Sequence, residues 1–75
     1  MAKFMERHDT QWVLISHDGD HLATLNKIWD ATNWSLFFRN ETSSFYQFDS
    51  PLECFDWMNS RCGMSASWHP KERAA

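Results

Sequence analysis

Seventy-five residues carrying a net charge of −3, with 43% apolar and 16% aromatic content, make one small domain near the lower size limit for a core without staples. No eighteen apolar residues run together, and the first residues hold no apolar run of signal-sequence length, so the expectation is a soluble, unexported, cytoplasmic protein with no membrane segment. Net acidity over a folded core also argues against binding a phosphate backbone, whose affinity depends on Lys and Arg displacing counterions.

Residues 1–10 read as a flexible lead-in without regular structure, ordered only where Phe4 and Met5 lie against the body. Gln11 to Ser16 is β-branched and aromatic and apolar on both faces, which predicts a central or covered strand. His17-Asp18-Gly19-Asp20 is a turn, and Asp-Gly suits a two-residue hairpin that returns residues 21–25 as a partner strand. A competing pattern starts at the same place. Leu22, Leu25, Ile28 and Trp29 recur at helical spacing behind Asp20 as N-cap, whereas the same stretch alternates badly as a strand. A second helix over 21–32 is therefore the preferred expectation, and the meander its alternative.

Asn33 stops either element before Trp34–Arg39, a strand, and Asn40–Ser43 is a polar hairpin loop. Ser44–Phe48 returns antiparallel, alternating Phe45 and Gln47 against Tyr46 and Phe48. Helix 51–62 is the clearest element. Ser50 is its N-cap, Pro51 its first-turn proline and Glu53 its capping-box acid, while Gly63 ends it. Leu52, Cys54, Phe55, Met58 and Cys62 fall on one arc and Glu53, Asp56, Asn59 and Ser60 on the other. A short edge strand follows around Trp68, and residues 70–75 read as a disordered tail. The fold class is α+β: a small, mainly antiparallel sheet over 11–69 with helix 51–62 on one face and, on the helical reading, a second helix at 21–32.

Chemistry is sparse. Cys54 and Cys62 sit eight residues apart on one helix, about 12 Å at helical rise, too far for a disulfide. They read as thiols buried on the apolar face in a reducing compartment. His17, Asp18, Asp20 and His21 could interest a divalent metal, but Gly19 breaks the helix that would align the two imidazoles, so an exposed turn is expected. Cys54, Cys62 and His69 match no zinc spacing. Ser65 and Ser67 near His69 fall in a tail too loose to hold proton-transfer geometry, and only two glycines exist, so no phosphate loop is present. No enzyme activity, cofactor or metal is expected.

Two features point instead to a partner. Between Asp9 and Asp56 lie eight carboxylates against Lys27 and Arg39, a balance of −6, which suits a basic protein surface. Twelve aromatics cannot all hide in so small a body: Trp57 borders the helix's apolar arc, and Trp12, Trp34 or Trp68 could also be partly exposed as interface anchors. Asp18, Asp20, Glu53, Asp56 and Trp57 are the candidate partner-binding residues.

Two resemblances bear on this. A strand–helix–strand–strand–helix–strand order resembles the RNA-recognition motif, with Phe45-Tyr46-Gln47-Phe48 as its aromatic third strand. That would imply single-stranded nucleic acid on a Phe37, Phe45 and Tyr46 face, although Ser43 and Ser44 stand where the family has a basic residue and glycine. The run Phe48-Asp49-Ser50, with Trp57 nine residues after Phe48 in a strand-to-helix setting, resembles small phage-encoded anti-CRISPR proteins of the type I-F group over residues 44–63. The implied activity is blocking a CRISPR surveillance complex by binding its protein subunits. The leading expectation is thus a non-enzymatic inhibitor of phage or mobile-element origin, and nucleic-acid binding is its alternative.

Overall fold

The structure, a computed structural model, describes residues 2–27, 32–39, 41 and 46–71. In chain order these form β1 (Ala2–His8), β2 (Gln11–Ile15), β3 (His21–Lys27), β4 (Trp34–Phe38), β5 (Tyr46–Phe48), α1 (Pro51–Arg61) and β6 (Ala66–His69). One six-stranded sheet has the order β5-β4-β3-β2-β1-β6. Its neighbours are antiparallel except β1 and β6, which run parallel. The helix therefore connects one edge of the sheet to the other. An α+β fold, mostly sheet with one helix packed against it, results.

Strand register decides what the helix covers. Phe4, Leu14, Ala23 and Phe38 stand opposite one another across four strands, as do Trp12, Leu25, Leu36 and Tyr46 in the next row. These side chains share the face on which α1 lies, because residues paired across a sheet project to the same side. Cys54 and Met58 press onto it from the helix, and Phe4, Leu14, Leu25, Leu36, Cys54 and Met58 are fully buried. Flanking rings widen the seam. Phe55 lies 5.1 Å from Trp68 and 6.1 Å from Phe4, while Trp57 on the other side lies 4.9 Å from Tyr46 and 5.4 Å from Phe48.

The opposite face carries two different rows: Met5, Val13, Thr24 and Phe37, then Gln11, Asn26, Ser35 and Gln47. Gln11 Nε2 donates to Asn26 Oδ1 at 3.0 Å, tying β2 to β3. Among the described residues the helix is the only element off the sheet, and it lies on the other side.

Three expectations need correction. The lead-in is a strand: Phe4 is fully buried and stacks on Trp12 at 5.0 Å, so the N-terminus is part of the core. Residues 21–27 are β3 and not the first part of a helix 21–32; residues 28–31 lie outside the described residues. A bulge explains the misleading pattern. Register slips between Leu14 and Ile15, leaving Leu22 as the extra residue, and both Leu22 and Ala23 pack on the core, which breaks the alternation a strand would otherwise show. With five strands before the helix, the RNA-recognition-motif order is not formed.

The third concerns the β2–β3 turn, which is longer by one residue than Asp-Gly suggests. Gly19 N–H donates to the Ser16 carbonyl at 2.9 Å and Ser16 N–H to the Asp20 carbonyl at 2.8 Å, a three-residue loop closed by Gly19 at φ 93°. That positive φ is what glycine tolerates.

The helix caps follow the sequence closely. Ser50, extended at φ −153° and ψ 160°, accepts from Glu53 N–H at 3.2 Å. Glu53 Oε2 in turn accepts from Asp49 N–H at 3.3 Å, one residue earlier than the usual capping box. Replacing Ser50 by alanine is expected to cost about 1 kcal/mol, measurable as a lower urea midpoint with unchanged slope. At the far end, Gly63 takes φ 66° and Asn59 Oδ1 accepts from Ala66 N–H at 2.9 Å, launching β6.

Candidate functional site

The outward side of α1, with β5 beside it, brings together three of the five residues singled out above. Glu53 and Asp56 are exposed, and Trp57 is half-buried with one flank seated on Tyr46 and Phe48. Glu53 and Trp57 are one turn apart and so neighbour each other on the helix surface. Two residues complete the strip: Leu52, 54% exposed, and Tyr46, 38% exposed. Asp49, also exposed, precedes the cap. The helix, pinned from below by Cys54 and Met58, contributes Leu52, Glu53 and Asp56, while Tyr46 comes from β5 and Asp49 from the junction between them.

Asp18 and Asp20 are elsewhere. They occupy the β2–β3 turn, at the end of the sheet opposite the β5-to-α1 junction that carries Asp49 and Glu53. His17 Nε2 lies 3.1 Å from Asp18 Oδ1, and Asp20 N–H donates to Ser16 Oγ at 3.0 Å. His21 engages Thr24 Oγ1 at 2.6 Å. The two imidazoles thus face different partners, and among the described residues no three metal-ligating side chains converge.

Other candidates are redistributed by the register. Phe37 stands opposite Thr24, on the face without the helix, whereas Tyr46 stands opposite Leu36 on the helix side. The shared stacking face of Phe37, Phe45 and Tyr46 is therefore split, and Phe45 lies outside the described residues. Ser67 and His69 are held in β6: Ser67 Oγ lies 2.8 Å from His69 Nε2 and donates to the Ala2 carbonyl at 3.3 Å, fastening β6 to β1. Trp12 and Trp34 are buried, and Trp68, stacked on Trp12 at 4.3 Å, is half-buried. Trp57 is the described tryptophan that borders the strip.

The cysteines part company. Cys54 is buried but Cys62, expected on the same apolar face, is exposed at the helix C-cap. Burial, with a smaller contribution from Cys62, pushes the Cys54 thiol from 9.0 up to about 12. Two outcomes follow. Iodoacetamide at pH 8 should label one thiol per native chain, Cys62, and two in urea. Because the folded state holds the Cys54 proton more tightly than the unfolded state, stability should be full below pH 9 and fall as pH rises from 9 toward 12. Urea midpoints across that range should drop more steeply for the native sequence than for Cys54→Ala.

The sequence pattern assigns Leu52 and Tyr46 to other faces, Leu52 to the buried helix arc and Tyr46 to a nucleic-acid stacking face, for definable reasons. Leu52, expected on the apolar arc with Cys54 and Met58, is instead 54% exposed: two residues before Cys54 it stands about 200° around the helix, off the face that Cys54 and Met58 press onto the sheet. Tyr46 belongs by alternation with Phe48, and on a three-residue edge strand that side is only partly roofed. Compared with known proteins, the chain matches no protein-family model, no curated protein sequence and no solved structure.

Proposed function

We propose that this chain is a non-enzymatic protein-binding module that occupies a basic surface on a host complex, in the manner of phage or mobile-element inhibitors. One observation carries the reading: Leu52, Glu53 and Asp56 stand exposed on a helix whose underside is locked into the core, with exposed Asp49 just before its cap and exposed Tyr46 on the neighbouring β5. Large apolar anchors ringed by charge are the usual anatomy of a docking patch, the rings and Leu supplying desolvated contact and the carboxylates steering the encounter. Rigid presentation keeps the ordering cost of binding low. Asp18 and Asp20 supply a second acidic point at the far end of the sheet, outside this strip. No helix among the described residues is long and apolar enough to cross a membrane, and the proposed site of action is the cytoplasm of the host.

The resemblance over 44–63 names the first target to try, a purified type I-F CRISPR surveillance complex. Co-elution of the chain with that complex on size exclusion is expected, weakening between 50 and about 500 mM salt as the Debye length contracts. Separate elution at low salt would remove the anti-CRISPR assignment. Capture that is indifferent to salt would remove the acidic strip as its basis. The nucleic-acid alternative is not favoured, because Phe37 and Tyr46, two of the rings it required, lie on opposite faces of the sheet.

A further inference from the structure

We infer that Asn59 and Pro70 form a guard on the outer edge of β6, which blocks pairing with a further strand and keeps copies of this chain from joining edge to edge. A sheet of order β5-β4-β3-β2-β1-β6 does not close, so it has two edges, and an unguarded edge is a template for another chain. Among the described residues β6 has a strand on one side only, β1.

Two side-chain contacts show which way each β6 amide points. Ala66 N–H donates to Asn59 Oδ1 at 2.9 Å and is therefore not given to β1, whereas Lys71 N–H donates to Glu6 Oε1 at 3.1 Å, on the β1 side. Backbone groups of successive strand residues turn to alternate sides of the strand, so Ser67, His69 and Lys71 face β1 while Ala66, Trp68 and Pro70 face outward. Along that outward rail the first donor is taken by Asn59. The third does not exist, because proline has no N–H. Trp68 N–H is the one donor left between Ala66 and Pro70. An incoming strand needs donors and acceptors at every second residue, and a single donor does not offset the ordering of a second chain. Position makes the guard work: Gly63 at φ 66° turns the chain just after α1, so β6 starts beside the last turns of the helix and the half-buried Asn59 reaches its first amide. The other edge is kept short in a related way. There β5 has three residues, and the next amide, Asp49 N–H, is held by Glu53 Oε2 at 3.3 Å.

Amide hydrogen exchange on the full native chain reads the guard directly. Trp68 N–H should exchange at least about 100-fold faster than Ser67 and His69 N–H, with Ala66 N–H protected. Asn59→Ala should lower the Ala66 protection at least about tenfold, whereas Asn59→Asp, which keeps an acceptor in place, should retain it. Opening both positions with Asn59→Ala and Pro70→Val should let copies pair: at about 200 µM the weight-average mass by sedimentation equilibrium should exceed that of the native chain, and Trp68 N–H should become protected. Slow exchange at Trp68 in the native chain, or Ala66 protection that survives Asn59→Ala, would overturn the inference. So would a double variant with native far-UV circular dichroism and the same mass as the native chain. If the double variant does not fold, the exchange pattern of the native chain decides alone. Neither arm uses the helix strip, so the result is independent of capture of a host complex.

Discussion

Replacing Phe4 by alanine is expected to lower the thermal midpoint by about 15–30 °C, the largest single-residue effect in the chain. Phe4 is fully buried and is the hub of the ring cluster: it stacks on Trp12 at 5.0 Å, meets Trp68 at 5.9 Å and Phe55 at 6.1 Å. Removing a buried phenyl costs about 3–5 kcal/mol through lost transfer energy and the cavity left behind, against a total of about 4–11 kcal/mol for a chain of this length. The ring links three elements from distant parts of the sequence, so its loss should loosen β1, β6 and the helix together. Melting followed by circular dichroism checks this. A shift below about 5 °C would mean that the N-terminal strand is peripheral to the core.

Reversing charge on the helix strip should do the opposite: leave folding intact and abolish partner capture. Glu53→Lys with Asp56→Lys is expected to weaken binding to a basic target by at least about 100-fold, since two attractive contacts become repulsive. Asp56 is exposed and solvated, so its change should move the melting temperature little. Glu53 also caps the helix through Asp49 N–H, and Glu53→Gln, which keeps that hydrogen bond, separates the cap from the charge. Leu52→Ala tests the apolar anchor and leaves the Ser50–Glu53 and Glu53–Asp49 cap hydrogen bonds in place, and a loss of about tenfold or more is expected. Titration calorimetry against the target reads all three. Trp57→Ala is less informative, because the indole also packs on Tyr46 and Phe48. Full retention of affinity in the double reversal would show that binding, if present, uses another surface.

How much of this was legible beforehand depends on the range over which each element is held together. The ends of helix 51–62 could be read directly, because caps and stop signals act within a turn: Ser50, Glu53 and Gly63 do locally what their types suggest, whereas Leu52 and Cys62, expected on its buried arc, are exposed. Strands 11–16 and 34–39 were equally visible, their apolar runs being dense enough to need no partner for recognition. By themselves, the amino acids also determined the α+β class, the acidic balance and the edge strand around Trp68.

Only the tertiary structure decided the rest. Lys3, Met5, Glu6 and Arg7 give β1 no self-evident period, and it becomes a strand because β2 and β6 pair with it on either side. The bulge at Leu22 is a property of two strands in register, and from one strand alone it looks like helical spacing. For the candidate site, Glu53, Asp56 and Trp57 could be grouped from the sequence because one helix carries them, whereas Tyr46 joins them only through its contact with Trp57 across the β5–α1 junction. Separation of Phe37 from Tyr46, and of Asp18 and Asp20 from the strip, was settled by pairing and chain direction. Local preferences act over a few residues and are written in the chain; pairing partners and the face each residue takes are set by contacts between segments far apart in sequence, which only the assembled sheet specifies.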